Sequence, residues 1–211
     1  MHTELPSKNL LDDKWSQFLK RGFDIVVSLC FLCLVFPFLL LLVFVVTECT
    51  MPGKLFFVQK RTGLNGKTFK CYKFRSMRQN PHSEVRQATK GDERVTRWGY
   101  IMRKTSLDET PQFINVLMGD MSIVGPRPHM LKHTDEFTGL VDGYMLRHQV
   151  KPGVTGWSQV NGYRGEIKKV EDIRNRVKFD LWYIDHWSFF LDLRIIFKTM
   201  TLCFGNDCHA L

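Results

Sequence analysis

The sequence has no internal repeat and no low-complexity tract, so a repeat array is excluded. It is short of acid: 21 Asp and Glu stand against 30 Lys and Arg in 211 residues, a formal net charge of +9. That imbalance points to an anionic partner, which could be nucleic acid, an anionic membrane surface or a phosphorylated substrate. With 44% hydrophobic and 24% charged residues, global disorder is excluded too. The length suits one domain with a sizeable core and at most a short appendage.

Charge is missing altogether from Ile25 to Val46, 22 residues. As a helix this run would measure roughly 33 Å, enough to cross a bilayer core. It is no convincing signal peptide, because its polar preface is too long and no small-residue cleavage site follows. Pro37, near its middle, removes a backbone hydrogen bond and predicts a kink. The flanks are balanced in charge: Lys8, Lys14, Lys20 and Arg21 before, Lys54, Lys60 and Arg61 after. A simple span normally shows a bias. The balance favours a re-entrant helix that enters and leaves the same leaflet, with a kinked span as the alternative. Phe is abundant, at 17 residues, and much of it lies in apolar segments, which tilts the anionic partner toward a membrane surface.

Six cysteines are present, and none has a persuasive partner. Cys30 and Cys33 share CxxC spacing but lie inside the apolar run, where buried small residues are the expectation. Cys203, Cys208 and His209 make a weak metal signal on a terminal tail. All six, with Cys49 and Cys71, read as thiols in a reducing compartment.

The remaining pattern is mostly helical with one hairpin. Leu11, Trp15, Phe18 and Leu19 form a helical stripe on an N-terminal arm, residues 1–19. Lys54–Thr62 and Lys67–Phe74 read as strands joined at Asn65-Gly66, a two-residue turn signal. The Gly63–Thr68 stretch fails the spacing of a phosphate-binding loop, since the first Gly would fall at Arg61. Residues 79–97 read as a basic loop with a short helix, and 143–165, with five glycines, as a loop-rich connector. Val170, Ile173, Val177, Leu181 and Ile184 recur at helical spacing over a charged face. Phe189, Phe190, Leu193, Ile196, Phe197 and Met200 form a last stripe, with Asp192, Arg194 and Lys198 off it; core packing and interfacial docking are equally open there.

The densest chemistry lies in 103–128. Ser106-x-x-Glu109 is a capping box and Thr110-Pro111 a competing helix start. Both put Asp108 and Glu109 at a helix N-terminus, where the dipole and Arg103 would keep Asp108 ionised. Acidic residues complement helix dipoles routinely. Adjacent carboxylates among Arg103, Lys104 and Arg127 could equally transfer a phosphoryl group, with a carboxylate attacking phosphorus and Mg²⁺ screening the approach. Arg127, between two prolines, sits on a stiff backbone suited to a phosphate contact.

Lys104–Leu117 followed by Gly119-Asp-Met-Ser-Ile-Val-Gly-Pro-Arg-Pro128 closely resembles the bacterial sugar transferase family, the monotopic polyprenyl-phosphate phosphoglycosyl transferases. The resemblance runs from about Lys20 to Lys198 and takes in Lys20-Arg21, Phe23-Asp24, Pro37, Phe56–Gly63, Tyr72–Met77, Lys151–Trp157, Gln159–Gly162, Trp187-Ser188 and Leu191-Asp192. It implies an α+β, mainly helical fold: a Pro-broken re-entrant helix, the hairpin, and amphipathic interfacial helices around a compact cytoplasmic catalytic core. The expected parts are an arm at 1–19, a membrane helix at 20–48 and a catalytic domain at 49–211. Larger members carry further N-terminal domains, so the chain is expected to be the catalytic module alone. Phe36 stands before Pro37 where some relatives have a small polar residue, so the break is expected to differ in detail.

The implied reaction is ping-pong. Asp108 would attack the β-phosphorus of a UDP-sugar and release UMP, and undecaprenyl phosphate would then take the sugar phosphate. Glu109 is carried over with Asp108 as the Mg²⁺ site. Arg103 and Arg127 match phosphate- or nucleotide-contact positions, and Lys73 and Arg75 of the Tyr72–Met77 motif join them. The loop Asn161–Glu166 looks like the subgroup acting on UDP-glucose or UDP-galactose. The implied setting is the cytoplasmic face of the bacterial inner membrane, at the first membrane step of capsule, exopolysaccharide, O-antigen or glycoprotein glycan assembly. Nucleic acid is not an expected partner, and a homo-oligomer is left open. The rival reading is a non-catalytic, basic, membrane-associated binding module; a nucleic-acid reader would gather its cations on one face, and here they are spread along the chain.

Overall fold

The computed structural model describes residues 13–78 and 92–204. Leu11 and Lys8 of the arm, most of the 79–97 loop, and Cys208 and His209 lie outside the described residues. The fold is mainly helical with two small sheets. Helix α1 spans Lys14–Leu34, started by the Asp13 side chain, which accepts from the Ser16 N–H at 3.0 Å. It passes the expected boundary at Lys20 without a break, because three charged side chains there are bonded to the protein. Lys20 reaches Asp192 (2.6 Å) and the Tyr183 hydroxyl (3.1 Å). Arg21 donates to the Val116 and Leu117 carbonyls at 2.6 and 2.8 Å. The buried Asp24 carboxylate accepts from Ser122 Oγ and the Ile123 N–H. Asp24→Ala would orphan that N–H, so a loss of about 1–3 kcal/mol is expected in denaturant unfolding. An unchanged midpoint would show that this clamp does not hold α1 to the core.

The chain bends after Leu34 and continues as α2, Phe36–Thr50, with Pro37 in the first turn. The bend between the two helices is 52°. Proline has no N–H to continue the ladder. The break is confined to Val35, whose N–H still bonds the Phe31 carbonyl at 3.0 Å. Among the described residues no single helix is long and apolar enough to cross a membrane; the bent α1–α2 pair passes only by combined length and composition. Cys30 and Cys33 are exposed, which corrects the expectation of burial, because the outer face of the run has no protein against it. Val43 and Phe36 instead pack inward with Met51, Phe74 and Met102.

Strands β1 (Phe56–Thr62) and β2 (Thr68–Phe74) pair antiparallel with Thr62 opposite Thr68. Asn65 and Gly66 both take positive φ, as that dipeptide favours. The pairing nevertheless leaves a longer connection than the expected two-residue turn, with Leu64–Gly66 in a 3-10 turn. Helix α3, Arg97–Lys104, is capped by Thr96. It lies so close to the hairpin's exit that a Cβ on Gly99 would meet the Ser76 carbonyl oxygen at 1.8 Å. A 3-10 turn, Leu107–Glu109, leads into α4, Gln112–Met118.

The second sheet pairs β3 (Ser122–Val124) with β4 (Gly153–Thr155) in parallel, β4 lying inside the segment expected to be a connector. It was hidden because its strands are only three residues long and each is followed by a glycine. Any Cβ on Gly125, Gly153 or Gly156 would strike backbone atoms within 2.1–2.5 Å, so the two motifs interlock main chain to main chain. Between and after these strands come α5 (Leu131–Leu140), α6 (Trp157–Val160), α7 (Val170–Asp185) and α8 (Phe189–Phe204).

In α7 the expected apolar residues Ile173, Val177 and Ile184 are buried, and so, unexpectedly, are Arg176 and Asp180. In α8 the polar residue goes inside. Asp192 is buried beside Ile195 and accepts from Lys20, Tyr183 and Trp187. The stripe of Phe190, Leu193, Phe197 and Met200 faces outward.

Candidate active site

The turn Leu107–Glu109 opens with Ser106 in the left-handed region (φ 60°) and no side-chain cap. The capping box therefore does not form. The Ser106 hydroxyl instead accepts from Arg164 at 2.8 Å, and α4 begins after Pro111 without a side-chain cap. Successive side chains of a 3-10 turn diverge by about 120°, and the two carboxylates have different surroundings. Glu109 is buried and ringed by cations: Lys73 Nζ at 2.7 Å, Arg127 at 2.7 and 3.3 Å, and Arg164 at 3.2 Å. Asp108 is buried to a similar degree and lines the same cavity as Glu109, but accepts no hydrogen bond from the described residues.

The electrostatics separate the pair in the same sense. Burial alone would raise Glu109, but Arg127, Lys73 and Arg164 hold its carboxyl well below the ordinary value. Burial and the Glu109 charge push Asp108 up, opposed by Lys73, Arg103 and Arg164. This corrects the expectation that a helix dipole lowers Asp108; the carboxyl sits in a turn ahead of a short helix. Arg127 is raised despite its burial, by Glu109. Arg127 also bonds Gln159 Oε1 at 2.9 Å, which fixes its fork between the two sheet motifs.

Of the residues named from sequence, Asp108, Glu109, Lys73 and Arg127 converge. Arg103 acts on Asp108 through its charge, while its Nη1 lies 3.3 Å from Met77 Sδ. Arg75 lines the same cavity, but its guanidinium bonds the Met51 carbonyl at the end of α2. Pro37 lies at the helix break and does not line the cavity. Sequence reasoning missed Arg164, Arg61, His129 and Arg176, all cavity-lining. Arg164 had a faint signal, a cation in a glycine-flanked loop like Arg127 between its prolines. His129 follows directly on the Gly-Pro-Arg-Pro segment, and Arg61 and Arg176 carry no signal, because the hairpin and α7 bring them in through tertiary packing.

Among the described residues no three His, Cys, Asp or Glu side chains gather to hold a metal. Mg²⁺ commonly uses only one or two carboxylates with phosphate oxygens and water. Asp108 and Glu109 could supply those one or two carboxylates, although Glu109 would have to release one of its cations to do so.

A carboxylate beside a ring of cations makes this cavity suited to an anionic ligand. The chain belongs to the bacterial sugar transferase family, whose model matches residues 15–206. It is 49% identical over 192 residues to a UDP-glucose:undecaprenyl-phosphate glucose-1-phosphate transferase of Escherichia coli (strain K12), covering 90% of this chain and 41% of that protein. It is 42% identical over 194 residues to a UDP-N-acetylgalactosamine-undecaprenyl-phosphate N-acetylgalactosaminephosphotransferase of Aeromonas hydrophila, covering 91% and 45%. An exopolysaccharide production protein PSS of Rhizobium leguminosarum bv. phaseoli is 43% identical over 187 residues, covering 86% and 93%. The chain thus spans about two fifths of the Escherichia coli relative and most of the Rhizobium one.

Proposed function

We propose that this chain transfers a hexose 1-phosphate from a UDP-sugar, glucose or galactose in preference, to undecaprenyl phosphate. It does so through a sugar-phosphoryl aspartate, an acyl phosphate on Asp108. The observation that carries this reading is the asymmetry of the acidic pair, Asp108 without a hydrogen-bond donor among the described residues and Glu109 bonded to three cations. Nine Lys or Arg side chains line the cavity against three carboxylates, which favours an anionic ligand over a neutral one. Lys73, Arg127 and Arg164, gathered at Glu109, would grip the diphosphate and stabilise the charge that moves onto the leaving phosphate.

In the first step an Asp108 oxygen bonds to the β-phosphorus. The bond from that phosphorus to the bridging oxygen breaks, and UMP leaves with the electron pair. In the second step an oxygen of the lipid phosphate attacks the same phosphorus and frees Asp108. Mg²⁺, held by Asp108 with Glu109, would screen the approach of carboxylate to phosphate when bound. The test is UMP release from UDP-glucose or UDP-galactose on adding undecaprenyl phosphate. A chain that binds vesicles yet releases no UMP from any UDP-sugar would support the non-catalytic binding module.

The setting we propose is the cytoplasmic face of the bacterial inner membrane, with the bent α1–α2 pair re-entering one leaflet. Its support is the exposed apolar surface. Trp15 and Phe18 on α1, Phe38 and Leu41 on α2, and Phe190 (81% exposed) and Phe197 on α8 have no cover. Exchanging Phe190 and Phe197 for Ser should weaken binding to anionic liposomes with little change in thermal unfolding. Unfolding of the double variant would mean that the stripe supports the core instead.

A further inference from the structure

The cavity holds a second group of cations that makes no bond to Asp108 or Glu109. At its centre is His129, 4% exposed, directly after the Gly-Pro-Arg-Pro segment. Burial and the guanidinium groups of Arg147, Arg176, Arg61 and Arg127 push its pKa well down, so the ring is neutral. A neutral imidazole has one N–H and one lone pair. Nδ1 lies 2.7 Å from the Tyr144 hydroxyl and 3.1 Å from an Arg147 nitrogen; Nε2 lies 3.4 Å from an Arg176 nitrogen. Arginine can only donate, so one of these two guanidinium groups must face the imidazole N–H.

The placement of Arg147 decides which. Its other nitrogens are fixed on Asp180 (2.6 and 2.9 Å) and the Arg127 carbonyl (2.8 Å), and its contact with the ring is the shorter one. Nδ1 is therefore the acceptor, and Nε2 carries the proton. Two donors then stand against each other, His129 Nε2–H and the Arg176 guanidinium. Arg176 is 4% exposed, has one bond to the Gly165 carbonyl (3.0 Å), and leaves its buried Nε without a partner. Asp180, one turn along α7, is bonded by Arg147 and Ser158 and reaches Arg176 through its charge alone, so among the described residues Arg176 has no hydrogen-bonded carboxylate. Among the described residues the Arg61 guanidinium likewise bonds Gln59 and the Pro128 carbonyl, and its Nε is buried without a partner there. All three side chains line the cavity that Asp108 lines.

We propose that His129 Nε2–H and Arg176, with the charge of Arg61 beside them, form an oxyanion subsite that takes a phosphate oxygen of a substrate. The inference rests on the phosphoryl-transfer reading of the cavity. An oxygen between the two donors would satisfy both and supply the missing countercharge. The phosphate could be that of the nucleotide or that of the lipid acceptor, which share this chemistry.

The test uses the full chain in detergent, labelled with ¹⁵N-histidine, and needs no variant for its first reading. The expected result is a neutral His129 protonated at Nε2, with the Nε2 resonance shifting on titration with UMP. A shift with undecaprenyl phosphate and none with UMP would support the subsite and assign it to the acceptor. An Nδ1–H tautomer would overturn the proposal. So would an Nε2 signal that neither ligand moves in protein that still forms the Asp108 adduct. Protein that binds neither ligand and forms no adduct would instead overturn the phosphoryl-transfer reading. As a second measurement, Arg176→Gln should weaken the responding ligand at least tenfold and Arg176→Lys less. Equal affinity in folded Arg176→Gln protein would also overturn the subsite.

Discussion

Asp108→Asn protein, given UDP-glucose and undecaprenyl phosphate, is expected to release UMP roughly ten-thousandfold more slowly than the parent. At 1.36 kcal/mol per factor of ten, that is about 5.4 kcal/mol of transition-state stabilisation. The substitution keeps the shape of the side chain and removes the charge of the attacking oxygen. Because Asp108 accepts no hydrogen bond from the described residues, the fold and the Glu109 cation ring should survive the exchange. UMP affinity should therefore remain near that of the parent, so the loss would appear in kcat. A loss confined to KM would give Asp108 a binding role and leave the nucleophile unassigned.

Glu109→Gln is expected to cut turnover by roughly a hundredfold to a thousandfold and to change its pH dependence in a defined direction. Glu109 is the shared acceptor of Lys73, Arg127 and Arg164, so its neutralisation releases all three. It also removes the negative charge that, after burial, pushes the Asp108 carboxyl up. Asp108 must be ionised to attack. In the parent, activity should fall as pH drops through a value above the ordinary carboxylate pKa. In the variant Lys73, Arg103 and Arg164 lose their opponent, the pKa of Asp108 falls, and the acid limb of kcat/KM moves to lower pH. A limb that moves upward would mean that the freed cations had left the site. Circular dichroism and thermal unfolding should accompany the profile, since three partly buried cations lose their countercharge.

Local pattern and tertiary convergence were not equally legible in the sequence. The hairpin and the inward row of α7 follow from alternation, a turn dipeptide and helical spacing. The kink follows from Pro37. Asp108, Glu109 and Arg127 stand out by residue type and placement, Lys73 comes only from the family resemblance, and the structure brings those four together. The β3–β4 pair was missed because three-residue strands leave no period to read, and its glycines look like loop. The face that α8 buries was left open between core packing and docking, and the structure turns most of the aromatic stripe outward. A carboxylate such as Asp192 is normally solvated, and only the coincidence of Lys20, Tyr183 and Trp187, from distant parts of the chain, makes its burial affordable. Arg164 and Arg176 escaped for the same reason, since each acquires its place from partners outside its own element. The exposure of Cys30 and Cys33 shows the complementary failure. Apolar surroundings in sequence were equated with burial, and the outer face of α1 has no protein to bury them.

The central claim is a covalent sugar phosphate on Asp108, and intact-protein and peptide mass spectrometry test it most directly. Enzyme quenched after incubation with UDP-glucose alone should carry a hexose-phosphate adduct on the peptide containing Asp108. Undecaprenyl phosphate should discharge that adduct, and Asp108→Asn protein should never acquire it. Absence of any adduct under conditions in which Asp108→Asn protein still turns over would contradict the account and favour direct attack by the lipid phosphate on the UDP-sugar.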